Sequence, residues 1–412
     1  MTGTRAVLAV ALCLAAISPA AAKSKDKVVR VRVGPFRIEG LRDREVCQAV
    51  RIRKMAGMEL ASYEVRSLTA ASGLVGTHHL VIYGYGGDDP DAFPVPKNPS
   101  DVVDSPGCNG FGPVDLFKRR VQLAGSGGEF KRGKWSTTKG QTPLGLATLL
   151  PQAGTGDDAM IIVNSHYFNS SQKPGKGLVR IAFRLRPYDG TRRVVKNWTP
   201  LDASYDIDVP PGSTGRAEST IQLDGTADLN AEGGFRPDHD ICVLLLTTHT
   251  HKRGTGVQVY YEEDGQEPVK LIDPSPYDYE HPPLLAMPIA GRFPAGNLLK
   301  AYTAENGHPH FRYVCNYVNE SGAEYGARMG CEADSGVVPG VRWRDALAEG
   351  DDFGNARPCG IGAANCDGFG TGRCVESNLV FGPLSDDDMC VIPIQFYEPT
   401  PGVPDDQACQ PY

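Results

Sequence analysis

Five of the chain's nine histidines stand in three short patterns able to hold a metal ion. The first is Thr77-His78-His79-Leu80, which opens an apolar run to Tyr85. The second is Asn164-Ser165-His166-Tyr167-Phe168, closing a run that begins at Met160. The third is Thr248-His249-Thr250-His251, which follows Leu244-Leu245-Leu246-Thr247. Neutral imidazole is the commonest protein ligand of transition metals. Two adjacent imidazoles such as His78 and His79 are costly to desolvate without a shared partner. A lone histidine is more often a satisfied structural residue than a ligand, so His166 gains weight only beside the other two patterns. The remaining His239, His281, His308 and His310 lie in proline-rich or polar stretches and are assigned to solvent. His308-Pro309-His310 imitates a ligand pair, but its proline disfavours a regular strand.

The elements that carry these residues read as strands. Val28–Ile38 alternates apolar and basic residues, as a half-exposed strand does. Further strands are expected at Gln48–Ile52, His79–Tyr85, Met160–Phe168 and Val179–Leu185. A second set follows at Tyr205–Val209, Ile241–Thr248, Val257–Glu262, Phe311–Tyr317 and Val391–Tyr397. Val114–Arg120 is the best short helix candidate. Neighbouring strand residues face opposite ways, so His78 and His79 can share an ion only at a strand end or a bulge. His249 and His251, two apart, share a face. The 48 glycines and 32 prolines of the 412 residues imply many turns and short elements. The expected fold is therefore all-β, with two antiparallel, jelly-roll-like β-sandwich domains in tandem. They span residues 28–190 and 195–399, with a join near 187–198 and a glycine- and cysteine-rich insert at about 326–377. A net charge of −7 argues against nucleic-acid or anionic-membrane partners.

Residues 1–22 read as a signal peptide: Arg5, the apolar run Ala6–Ile17, then Ser18-Pro19-Ala20-Ala21-Ala22. The run is shorter than the roughly 20 apolar residues a membrane span needs, so a secreted or periplasmic monomer is expected. Without Cys13, ten cysteines remain, an even number in an exported chain, and no Cys-x-x-Cys pair suggests zinc instead. Asn169, Asn197 and Asn319 begin glycosylation sequons.

The order of these motifs, closed by Asp388-Met389-Cys390 and the aromatic-rich strand Gln395-Phe396-Tyr397, resembles the copper type II, ascorbate-dependent monooxygenases. That family includes peptidylglycine alpha-hydroxylating monooxygenase and dopamine beta-hydroxylase. The resemblance covers residues 35–190 and 195–399. It implies two copper ions per chain: an electron-transfer copper on His78, His79 and His166, and an oxygen-activating copper on His249, His251 and Met389. The two would be held apart across an open cleft. The implied partners are dioxygen, a one-electron reductant such as ascorbate, and a small organic substrate hydroxylated at a C–H bond. Softness of the thioether agrees with this division, since methionine favours Cu(I). The resemblance also implies a Cys315–Cys390 disulfide; Cys47 matches a family cysteine with Cys108 as its candidate partner.

Some positions depart from the family. Thr247 stands where the peptide-hydroxylating branch has a carboxylate-binding arginine, and Val391 and Pro393 replace its asparagine and tyrosine. A glycine-extended peptide is therefore not the expected substrate. Asn164, two before His166, either orients ligands or ends the strand, and Asp386-Asp387-Asp388 reads as a solvated turn. The alternatives are an exported copper-binding protein without turnover, a structural two-sandwich protein with incidental histidines, and a zinc hydrolase. The last lacks a His-Glu-x-x-His arrangement.

Overall fold

A computed structural model describes residues 26–39, 42–68, 75–105, 108, 110–129, 135–169, 173–228, 231, 234–251, 253–278, 284–286, 297–303, 308–320, 328–329, 375–376, 378–381 and 388–410. The leader, His281, Cys331, Cys359, Cys366, Cys374, Asp386 and Asp387 lie outside these residues, as does the side chain of His78.

The first sandwich is built from β1 (Lys27–Ile38), β2 (Arg42–Ile52), β3 (Glu59–Leu68), β4 (Val75–Tyr85), β5 (Val103–Asp104), β6 (Arg120–Glu129), β7 (Trp135–Gln141), β8 (Leu146–Ala147), β9 (Ala159–Asn169) and β10 (Gly175–Arg186). One sheet runs β1-β10-β3-β7 and the other β5-β2-β9-β4-β6, every pairing antiparallel. Alternate residues of β9 separate two cores. Ala159, Ile161, Val163 and Tyr167 join the core between the sheets. Met160 and Ile162 face outward, into a second cluster with Cys47, Tyr85, Phe93, Cys108 and Phe111. Burial on both faces explains why this strand reads as an unbroken apolar run.

β11 (Arg193–Val194) pairs in parallel with β8 at the join. The second sandwich then follows as β12 (Lys196–Trp198), β13 (Asp208–Val209), β14 (Ser213–Gln222), β15 (Ile241–Thr247), β16 (Gly254–Glu262), β17 (Val269–Ile272), β18 (Leu284–Ala286), β19 (Leu298–Leu299), β20 (His310–Asn319), β21 (Arg328–Met329), β22 (Val375–Glu376), β23 (Leu379–Val380) and β24 (Ile394–Tyr397). One sheet runs β12-β24-β15-β18, with β19 also on β15, and the other β14-β20-β16-β17. Trp198, Val243, Leu246, Val259, Phe311 and Tyr313 are among the residues of its core. The short β21–β22 pair forms the base of the glycine-rich insert. A smaller cluster of Leu146, Val195, Cys242, Leu298, Tyr397 and Cys409 welds the two sandwiches together.

The all-β, two-sandwich expectation holds, and the differences are local. Of the expected strand Tyr205–Val209, Tyr205 and Asp206 belong to a 3-10 turn at Asp202–Asp206, and only Asp208–Val209 pairs as a strand. Strand β24 starts at Ile394 rather than Val391, because Pro393 offers no ladder N–H. β3, β6, β7 and β14 had no apolar signature: β14 buries only Ala217 and Ile221 fully, and β6 is rich in glycine. The helix candidate shrinks to Leu116–Arg119. His310, assigned to solvent, opens β20 half-buried against Glu262, at 3.2 Å. Asn197 and Asn319 are buried and donate to the carbonyls of Gln122 and Val209, so neither can carry a glycan in the folded chain. No helix among the described residues is long and apolar enough to cross a membrane.

Among the described residues, three disulfides join Cys47–Cys108, Cys242–Cys409 and Cys315–Cys390. The first and third are the pairs expected. The Cys242–Cys409 bridge ties the C-terminal segment, beyond the expected boundary at 399, to the second sandwich across 167 residues. Replacing both Cys242 and Cys409 by serine should lower unfolding stability by about 2–5 kcal/mol, read by urea denaturation against the wild type. An unchanged midpoint and slope would mean that the bridge does not constrain the fold.

Candidate metal centre

The centre begins with a cross-strand row. Glu45 on β2 lies directly opposite His166 on β9, and His166 lies directly opposite His79 on β4. Side chains of directly opposed residues sit on one face with their Cβ atoms about 5 Å apart. This is the outward face, shared with Cys47 and Ile162. Next to Glu45, Asn164 follows the same alternation, and its Nδ2 donates to Glu45 Oε1 at 2.8 Å. The strand runs on to Asn169, so Asn164 does not end it.

A bulge creates the row. Thr77 pairs with Tyr167 and His79 with His166, so one residue of β4, His78, has no counterpart on β9. The histidine pair therefore lies at the irregularity that adjacent ligands require. A second bulge acts on the other side. β15 slips against β24 between Val243 and Leu245. Ile241 and Val243 face the second core before the slip, and Leu246 faces it after. Thr248 and Thr250 continue that inward parity, both fully buried, and Thr250 Oγ1 donates to Tyr277 OH at 3.0 Å. His249 and His251 are thereby turned out of the second core toward the first sandwich.

The two groups meet. The ring centroids of His166 and His79 are 5.2 Å apart, those of His79 and His249 6.2 Å, and those of His249 and His251 5.2 Å, each pair nearly perpendicular. The open cleft implied by the resemblance is absent at this point, because the outward face of β4 and β9 packs directly against the His249–His251 segment. The four imidazoles form one file across the seam rather than two separated cages. His166 and His251 are each 1% exposed, while His79 and His249 are partly open.

Charge follows from this crowding. Burial, then the neighbouring His79 and His166, push His249 down to about 3, so its imidazole is neutral and ready to bind a metal. Burial alone would raise the Glu45 carboxyl, but a hydrogen bond to His79 and the charges of His79 and His166 hold it below its ordinary value. Glu45 Oε1 lies 3.4 Å from His79 Nε2. Glu45, His79 and His166 offer donor atoms all within 4.8 Å of one another. Glu45 escaped the sequence reading because nothing local marks it; only the register of β2 against β9 brings it to the histidines.

Met389 is held opposite His251 by its backbone. His249 N donates to Val391 O at 2.8 Å and Val391 N to His249 O at 3.1 Å, which aligns residue 389 with residue 251. Tyr317 OH donates to Met389 O at 2.7 Å, and the next residue, Cys390, is bonded to Cys315 on β20. Asp388 is not the solvated residue expected of a turn. It is fully buried and accepts from the backbone N–H groups of His251 (2.7 Å), Met389 (2.8 Å) and Arg253 (3.2 Å). Burial pushes its carboxyl up to about 7 against the pull of those donors. One carboxylate thus clamps both segments that carry the second donor group.

No family model and no curated protein matches this chain. Solved structures with some similarity include the major capsid protein P2 of bacteriophage PM2, 9% identical over 71% of this chain and 97% of that one, with a TM-score of 0.29. Another is the cowpea mosaic virus top component, 10% identical over 74% and 86%, at 0.34. A third is the PBSX exported protein XepA, 9% identical over 70% and 86%, at 0.18. Likenesses this weak bear on neither the site nor its chemistry.

Replacing Asp388 by alanine removes the acceptor of three backbone N–H groups, the bonds of His251 and Arg253 being buried, which should cost about 2–4 kcal/mol in metal-free protein. Asp388→Asn, which keeps one acceptor oxygen, should recover part of that loss in the same urea titration. Equal stability of the alanine variant and the wild type would remove the clamp from the account.

Proposed function

We propose that this chain is a copper-dependent monooxygenase that hydroxylates a C–H bond of a small organic substrate, using dioxygen and a one-electron reductant such as ascorbate. The observation that carries the reading is the meeting of His79 and His249 at 6.2 Å, which joins histidines from two sandwiches into one donor file. Three disulfides accord with an oxidising compartment, and we place the protein in the periplasm or outside the cell. The donors fit copper: His79, His166 and His249 offer imidazole nitrogen, His249 is held neutral, and the backbone of Met389, a residue with a soft thioether, is anchored in register with His251. His78 stands beside this set at the bulge. Copper ions there would supply the one-electron chemistry that dioxygen reduction and hydroxylation need.

The protein's own part is positioning. Asn164 fixes Glu45 against His79, Asp388 fixes the His249–His251 segment against Met389, and the packed seam keeps bulk water from His166 and His251. Thr247, with no guanidinium, stands at the position that would carry a carboxylate-binding arginine, and its N–H donates to Pro393 O. A second reading, an exported copper-binding protein without turnover, is favoured by burial alone: Glu45, His166 and His251 are 3%, 1% and 1% exposed.

Purified protein should bind about two copper ions per chain and consume dioxygen in the presence of ascorbate, and Met389→Ala should retain copper at the first sandwich while losing at least a hundredfold in oxygen consumption. Copper binding with no ascorbate-dependent consumption in the wild type selects the second reading, and no copper binding defeats both. Glycine-extended peptides should remain unmodified in the same assay by mass spectrometry. Their oxidation would show that recognition of a substrate carboxylate does not need an arginine at position 247.

A further inference from the structure

We propose that Glu45, His79 and His166 bind one divalent transition-metal ion, with the Glu45 carboxylate as a direct oxygen donor in place of the three-imidazole set implied by the resemblance. The proposal deepens the copper reading and rests on it for the identity of the ion.

Geometry is the first support. The three residues occupy directly opposed positions on adjacent strands β2, β9 and β4, on one face, with donor atoms within 4.8 Å of one another. Metal bonds to nitrogen and carboxylate oxygen are about 2.0–2.2 Å long, so donors at tetrahedral angles around an ion lie about 3.4 Å apart, the separation at which Glu45 Oε1 and His79 Nε2 already stand, 3.4 Å.

Charge is the second. Glu45 is 3% exposed. Its Oε1 accepts from Asn164 and faces His79 Nε2, while its buried Oε2 accepts no hydrogen bond among the described residues. Its ionisable neighbours are His79 and His166, and no lysine or arginine among the described residues pairs with it. A buried carboxylate needs a compensating positive charge. A divalent cation held by Glu45, His79 and His166 would supply that charge.

The chemistry of the donors is the third. Two imidazoles and a carboxylate suit divalent first-row ions, whereas a thioether favours Cu(I). The first sandwich would therefore hold copper preferentially as Cu(II), and the group containing Met389 would favour Cu(I). That asymmetry orders the two centres by oxidation state.

The test is titration of metal-free, full-length protein with Cu(II) and separately with Cu(I), repeated in the His251→Ala background so that the signal belongs to the first sandwich. Glu45→Gln should weaken Cu(II) binding at least tenfold, leave Cu(I) affinity within about twofold, and shift the Cu(II) electron paramagnetic resonance parameters toward a nitrogen-rich donor set. Metal-free Glu45→Gln should be no less stable than the wild type to urea, since it removes a buried charge; Glu45→Asp should restore part of the affinity. Unchanged resonance parameters, or equal losses for Cu(I) and Cu(II), would reduce Glu45 to a residue that orients His79 and overturn the proposal while sparing the copper reading. A wild-type protein that takes up neither copper ion would sink both.

Discussion

The outward face of the five-stranded sheet in the first sandwich must be covered, and part of what covers it is polar. Along β9 the face changes from Met160 and Ile162 to Asn164 and His166 without leaving the interior. Water cannot solvate those groups, so each must find a partner within the protein. That demand draws Glu45 to Asn164, sets Glu45 against His79, and brings the histidines of the second sandwich into the same file. The seam between the sandwiches is thus the place where the chain's polar residues are concentrated and its chemistry becomes possible.

Two bulges make the seam work. A regular strand allows no choice of side: once Leu80 and Ile82 or Ile241 and Val243 are committed to a core, every other residue is determined by parity. An extra residue at His78 changes the phase of β4 against β9, and the slip between Val243 and Leu245 changes that of β15 against β24. Without the second slip, His249 and His251 would share the parity of Ile241 and Val243 and point into the apolar core. Bulges near sites are devices for re-aiming side chains, and here both act on the same histidine file.

Around the file, the backbone is held from several directions. Cys390 is bonded to Cys315 at the centre of β20, Ser204 Oγ donates to Cys390 O at 2.9 Å, and Tyr317 OH holds Met389 O. Asp388 ties this segment to the N–H groups of His251 and Arg253. On the first sandwich, the Cys47–Cys108 bridge lies two residues along β2 from Glu45, under Tyr85 and Phe93. Rigid support of this kind holds the candidate donors in place, which would lower the reorganisation that metal binding requires.

Much of this was legible in the residue order. Alternation in Val28–Ile38, the apolar runs before His166 and His249, and turn residues between them determined an all-β chain of two sandwiches, because side-chain parity and turn chemistry are local properties. The spacing of His249 and His251 determined that they share a face, and the adjacency of His78 and His79 determined that a regular strand could not serve them. Which face the former pair uses was decided only by the slip in β15, a matter of pairing with β24 some 150 residues away. The partnership of Glu45 with His79 and His166, the burial of Asp388, and the closeness of His79 to His249 were likewise decided by the tertiary structure. Register and domain packing depend on contacts distant in sequence, and no local pattern of residue types encodes how far one strand slides against another.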